Sequence, residues 1–345
     1  MSSAIHERAE PGSDPGSDTG TGTGMRLRVL GRSGLRVSEL CLGTMTFGTQ
    51  WGFGADESVA RRVYETYREA GGNFVDTADN YTEGESERIL GRLVASERDA
   101  VVLGTKYTFP TDKANPNASG NHRKNLRASV ETSLRRLGTD HLDILWVHAW
   151  DQGTPVDVTL RALDDLVRAG KVLAIGVSNM PAWVVARSEA IAELRGWTAF
   201  CAMQIEYSLA ARSPDRELLP MARALDIAVA AWSPLARGLL SGKPRQDADR
   251  LSGARRRALD AVTEIAAETG LPAARIALAW VREHGLMPII GARTPEQLRD
   301  NLGVLDIRLD ADHVARLDAA TAVTLGYPHD FLHERRAFLA PPHPA

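Results

Sequence analysis

Cysteine is nearly absent. Cys41 and Cys201 are the two in 345 residues, each inside an apolar run and neither with a second thiol or a histidine at metal-ligand spacing. That excludes a disulfide framework or a zinc knuckle and leaves both as small buried hydrophobes in strands. An excess of one charge is also missing: Lys plus Arg number 41 against 44 Asp plus Glu, a formal net charge of -3. With no basic surplus to follow a phosphate backbone, nucleic acid is not an expected partner. No run approaches the roughly 18 consecutive apolar residues of a membrane span, and the N-terminus carries no apolar signal-peptide stretch. The expectation is a cytoplasmic protein without a membrane partner. The nine histidines include no His-x-His pair, so no metal site is expected.

What is present is enough apolar material for a large core: 43% of residues are hydrophobic and 25% charged. Residues 1–24, rich in Gly, Ser, Thr, Asp and Pro, offer little to bury and read as a disordered leader. The glycines at 20, 22 and 24 do not make a dinucleotide loop, because the strand-like run Met25 to Leu30 follows them where it would have to precede them. From Val37 onward, short apolar runs alternate with amphipathic stretches. Strands are expected at Val37 to Met45, Asn73 to Ala78, Ala100 to Tyr107, His141 to Ala149, Val172 to Asn179, Phe200 to Tyr207, Ile227 to Ser233 and Met287 to Ala292.

Helices are expected between them, such as Asp56 to Ala70 before Gly71, and Asn125 to Leu137 before Gly138. Near-continuous hydrophobicity in short strands suits a parallel sheet covered on both faces. Eight such units close most economically into a (β/α)8 TIM barrel, which leaves no edges. Met25 to Val37, with its Gly-Arg-Ser-Gly turn at 31–34, reads as a β-hairpin capping the barrel bottom. The expected organisation is one barrel domain, 25–330, and a C-terminal tail, 331–345.

In a barrel of this kind the chemistry sits at the C-terminal strand ends. Those positions hold Asp76, Tyr81, Lys106 and His148. Each has a structural reading as well: Asp76 bonding loop amides, Lys106 snorkelling, Tyr81 as a rim aromatic, His148 as a satisfied histidine. Together they form a chemically sensible set. An ammonium beside a phenol lowers its pKa, a carboxylate keeps the ammonium charged, and an imidazole orients a carbonyl.

The sequence resembles the aldo-keto reductases in DTADNY at 76–81, the TK ending in Lys106, VHAWD at 147–151, GVSN at 176–179, QIEYS at 204–208, WSPLARG at 232–238 and IIGARTPEQLRDN at 289–301. The likeness runs from about Leu30 to Leu309 with the motifs in the family's order. It implies reduction of a small-molecule carbonyl with NADPH, NADH being less favoured, and a tetrad of Tyr81, Lys106, Asp76 and His148. It also implies that Ser178, Asn179 and Gln204 hold the nicotinamide carboxamide and that Tyr207 stacks on the ring. Ser233, Leu235, Gly238, Gly291, Arg293, Gln297 and Asn301 are implied as further cofactor residues.

Many relatives have a lysine and a serine where this chain has Gly291 and Ala292, so a 2'-phosphate would fall mainly to Arg293. That arginine stands before a helix start made by Thr294 as N-cap, Pro295, and Gln297 as capping-box partner, a place that favours anions. Phe47, Trp51, Tyr107 and Trp150 are candidate substrate-pocket residues, shaped further by the Tyr107 to Lys124 and Leu239 to Ser252 segments. The same fold also serves as a cofactor-binding accessory protein with little turnover, which stands as the alternative.

Overall fold

The computed structural model describes residues 24–243, 251 and 253–339. All but the last residue of the expected leader, residues 244–250 and 252 of the second pocket segment, and 340–345 of the tail lie outside the described residues. The chain opens with an antiparallel hairpin, β1 (Leu27–Val29) and β2 (Arg36–Ser38). Eight further strands follow: β3 (Cys41–Gly43), β4 (Phe74–Asp76), β5 (Val102–Tyr107), β6 (Leu142–Val147), β7 (Val172–Ser178), β8 (Phe200–Glu206), β9 (Ala228–Trp232) and β10 (Met287–Ile290). All pair in parallel, and β10 bonds both β9 and β3, so the sheet is a closed barrel. The expected strand Val37 to Met45 divides in two, since Val37 belongs to the hairpin and the first barrel strand is Cys41–Gly43 alone.

Outside the sheet lie α1 (Glu57–Glu69), α2 (Glu85–Val94), α3 (Arg123–Leu137), α4 (Val156–Arg168), α5 (Ala182–Arg195), α6 (Leu218–Ala224), α7 (Gly253–Thr269), α8 (Ala273–Glu283), α9 (Pro295–Leu302) and α10 (Ala311–Thr321). Two short helices, α11 (His329–Glu334) and α12 (Arg336–Leu339), come last. Local chemistry sets the ends. The Asp56 side chain accepts from the Val59 amide to open α1, and Gly138 takes the left-handed conformation that closes α3. Among the described residues no helix is long and apolar enough to cross a membrane.

Strand alternation sorts the core into two shells. Cys41, Phe74, Val102, Ile144, Trp146, Ala174 and Ala202 point inward, whereas Leu42, Val75, Leu103, Leu145, Ile175 and Met203 point out toward the helices. The hairpin closes the N-terminal end, with Leu30 and Val37 inside the inner shell. Below the site the interior of the barrel is therefore filled by these side chains, and a cavity lies at the C-terminal rim.

Candidate active site

The same alternation carries polar groups to the rim. Continuing inward from Phe74 gives Asp76, from Val102 gives Lys106, from Trp146 gives His148, and from Ala202 gives Gln204. Tyr81 arrives on the turn beyond β4. These side chains, with Ser178 and Asn179, line a cavity of about 810 Å³.

Lys106 is buried and its Nζ donates to the Asp76 carboxylate, to the Thr77 carbonyl at 2.7 Å, and to the Tyr81 hydroxyl at 3.2 Å. Gln204 Nε2 donates to the other Asp76 oxygen at 2.8 Å, so its amide also braces the ion pair. Burial works against the Lys106 charge, but Asp76 and Tyr81 outweigh it and hold the ammonium above its ordinary pKa. Burial pushes Asp76 up while Lys106 and Gln204 pull it down.

The phenol departs from the expectation. Burial is the largest influence on Tyr81 and raises its pKa despite the opposing Lys106 charge. Tyr81 thus holds its proton at neutral pH, and the ammonium acts on the phenolate only as that charge develops. His148 is driven down to about 2, first by burial and then by Lys106, and is a neutral imidazole. Its ring meets Phe109 edge-on at 4.6 Å. Behind the turn, burial and then the nearby Glu87 carboxylate push Asp79 up to about 8.

The expected cofactor residues divide. Ser178, Asn179, Gln204, Ser233, Leu235, Gly238, Gly291 and Asn301 all line the cavity. Asn179 Nδ2 donates to the His148 carbonyl at 2.9 Å and to Ser178 Oγ at 3.0 Å, joining two strand ends. Arg293 and Gln297 stand just beyond Gly291 at the start of α9. Thr294 accepts from the Gln297 amide at 3.3 Å, and Gln297 Oε1 accepts from the Arg293 amide at 3.0 Å. The helix start is therefore partly satisfied by its own side chains, and the Arg293 side chain is exposed.

Tyr207 faces elsewhere. It lies three residues beyond the inward Gln204, an odd step in a period of two, and so turns to the outer shell. There it stacks on Trp280 at 5.3 Å and donates to Asp215 at 2.7 Å. An aromatic ring that does line the cavity is Trp232, at the end of β9. The WSPLARG motif begins with it, and two-residue alternation from Ala230 would have turned it inward. Tyr107 is likewise outward, next to the inward Lys106, and Phe47 is fully buried under the rim. Trp150 packs edge-on against Trp183 at 5.5 Å and stands outside the cavity. Of the four expected pocket residues, Trp51 is the one in the cavity wall, joined there by Met45, Phe109 and Arg237.

A closed parallel barrel whose rim joins a phenol, an ammonium, a carboxylate and a neutral imidazole defines a barrel oxidoreductase. The chain belongs to the aldo/keto reductase family, which it matches over residues 39–322. It is 39% identical over 326 residues to a norsolorinic acid reductase of Emericella nidulans, covering 88% of this chain and 83% of that one. An aryl-alcohol dehydrogenase of Pestalotiopsis microspora is 34% identical, with 89% and 85% covered. An uncharacterised oxidoreductase of Bacillus subtilis, YrpG, is 39% identical, with 85% and 95% covered. Carbonyl reduction with a nicotinamide cofactor is the general chemistry of the family.

Proposed function

We propose that the protein reduces an aromatic aldehyde or ketone to its alcohol with NADPH, Tyr81 giving the proton. The observation that carries this reading is the Tyr81 hydroxyl 3.2 Å from a buried ammonium, on the wall of a cavity large enough for a substrate carbonyl beside a nicotinamide. Ser178, Asn179 and Gln204 offer hydroxyl and amide groups near the tetrad, Trp232 offers a ring face, and Arg293 and Arg237 offer charge for phosphates. When bound, NADPH supplies a hydride to the carbonyl carbon and leaves oxidised.

The protein's part is the other half of the reaction. Tyr81 transfers its proton to the carbonyl oxygen, which completes the alcohol and leaves a phenolate. Lys106, buried and kept charged by Asp76, stabilises that phenolate. Neutral His148 can donate one N–H to the same oxygen and so orient the carbonyl. The proton on Tyr81 is restored from solvent for the next turnover.

The aromatic preference rests on the mouth. Trp51 stands 6.3 Å from Tyr81 and 6.0 Å from Phe53, edge-on and tilted respectively, and Phe109 covers His148 from the other side. These rings, with Met45, are exposed around the opening, where a planar apolar substrate would cover them. The names of the fungal relatives, which specify norsolorinic acid and aryl alcohols, agree with such a substrate. The test is a panel of aryl and alkyl carbonyls followed by NADPH absorbance. Higher kcat/KM for the aryl members supports the reading. No single-turnover oxidation of bound NADPH by any carbonyl would return the barrel to an accessory role.

A further inference from the structure

The structure assigns to Arg136, on α3 outside the barrel, the role of a positioning residue for Tyr81, its guanidinium tying together the two ends of the turn that presents the phenol. The inference rests on Tyr81 being the proton donor.

The turn between β4 and α2 has a strained middle. Thr82, Glu83 and Gly84 follow Tyr81 with φ of 45°, 58° and 85°, three successive residues in the left-handed region, two of them not glycine. Such a run persists only when its surroundings fix it. One restraint is Thr82 Oγ1, which donates to the Phe47 carbonyl at 2.7 Å and accepts from the Ser86 amide at 3.0 Å. Arg136 supplies the other. Its Nη1 donates to the carbonyl of Asp79, two residues before Tyr81, at 2.7 Å. The same group donates to the Glu87 carboxylate, in the first turn of α2, at 3.0 Å.

Between these two anchors the guanidinium lies flat across Gly84, where a Cβ would fall 2.3 Å from its Cζ. Only glycine leaves room for it. Glu87 is fully buried, and its second oxygen accepts from Thr105 Oγ1 at 2.8 Å. Thr105 precedes Lys106 on β5. A single bonded chain therefore runs from the carbonyl before the phenol, through Arg136 and Glu87, to the strand that carries the ammonium. Arg136 does not line the cavity, so it acts through the turn and not on substrate or cofactor. Both bonds leave Nη1 while the rest of the planar group lies against the backbone, and a lysine ammonium, one bond shorter, stops before that position.

The test compares Arg136→Met, the double variant Arg136→Met with Glu87→Gln, Arg136→Lys, and the neighbouring Arg135→Met as control. Arg136→Met leaves Glu87 buried without its counter-charge, so Tm should fall; the double variant removes that charge and should recover Tm. In both, kcat should stay lower by on the order of 10- to 100-fold, the scale of a misplaced reacting group. The NADPH Kd from fluorescence titration should be unchanged, and the solvent deuterium isotope effect on kcat should rise because proton donation has slowed. Arg135→Met should match wild type.

Recovery of both Tm and kcat in the double variant would overturn the proposal and leave Arg136 a purely structural partner of Glu87. Should the double variant not fold, Arg136→Lys decides: it keeps the charge, but its ammonium ends one bond short of the Nη1 position and does not span both acceptors, so full kcat with an unchanged isotope effect would also overturn it. Tyr81→Phe separates this failure from that of the underlying reading. Near wild-type turnover in Tyr81→Phe discards Tyr81 as donor. Loss there with full turnover in the Arg136 variants discards only the role of Arg136.

Discussion

At the scale of single residues, burial favours the neutral form of both Tyr81 and His148. At Tyr81 burial outweighs the Lys106 charge and raises the phenol further above neutral pH, and His148 stays unprotonated because burial and the same charge act together. Tyr81→Phe keeps the ring and its packing but removes the proton. Turnover should drop about 100-fold or more, with NADPH binding, read by fluorescence, preserved. His148 gives a stability signature. Its folded pKa, about 2, lies below the ordinary 6.5, so the unfolded chain takes up a proton that the folded one refuses. Its contribution is fully present above pH 6.5 and is lost as pH falls toward the folded value, with a slope of at most about 1.4 kcal/mol per pH unit. Urea denaturation of His148→Asn should therefore show a flatter acid limb than wild type below pH 6.5, and equal limbs would mean that His148 is not held neutral.

At the scale of elements, strand ends and helix starts place the groups that no single residue could. The start of α9 was legible from Thr294, Pro295 and Gln297, because capping depends on neighbours three residues apart. Arg293, just before it, should select between cofactors that differ by one phosphate. A charge-assisted bond contributes about 1.5–3 kcal/mol, or roughly 10- to 150-fold in Kd. Arg293→Ala should weaken NADPH binding by about that factor and leave NADH binding nearly unchanged, measured by fluorescence titration of both. Equal losses would place Arg293 on the shared pyrophosphate, and a selective loss in Arg237→Ala instead would move the phosphate to that side of the cavity. Tyr207, implied by the resemblance, and Tyr107, expected from its place beside a rim loop, both lie outside the cavity wall. Alternation from Gln204 and Lys106 turns both outward, a signal already present in the sequence.

At the scale of the whole molecule, closure of the barrel separates stability from chemistry. The hairpin plugs the end opposite the site. Gly31 has φ 47°, and a Cβ there would fall 2.1 Å from the Cys201 carbonyl at the start of β8. Gly31→Ala should cost roughly 2–4 kcal/mol from backbone strain and overpacking, seen in urea unfolding, while kcat at low temperature stays near wild type. A parallel loss of kcat would show that the plug also shapes the rim. The sequence by itself determined the eight-unit alternation, the closed barrel, the capping hairpin and the set of four ionisable groups at the strand ends, because each is written in local periodicity or in the residue types of a strand end. Only the tertiary structure decided that burial outweighs the Lys106 charge at Tyr81, that Phe109 and Arg237 join the cavity wall, and that Arg136 reaches the Asp79 carbonyl. Desolvation depends on everything packed around a group, and a side chain 57 residues away in sequence meets that carbonyl only once the helices have docked.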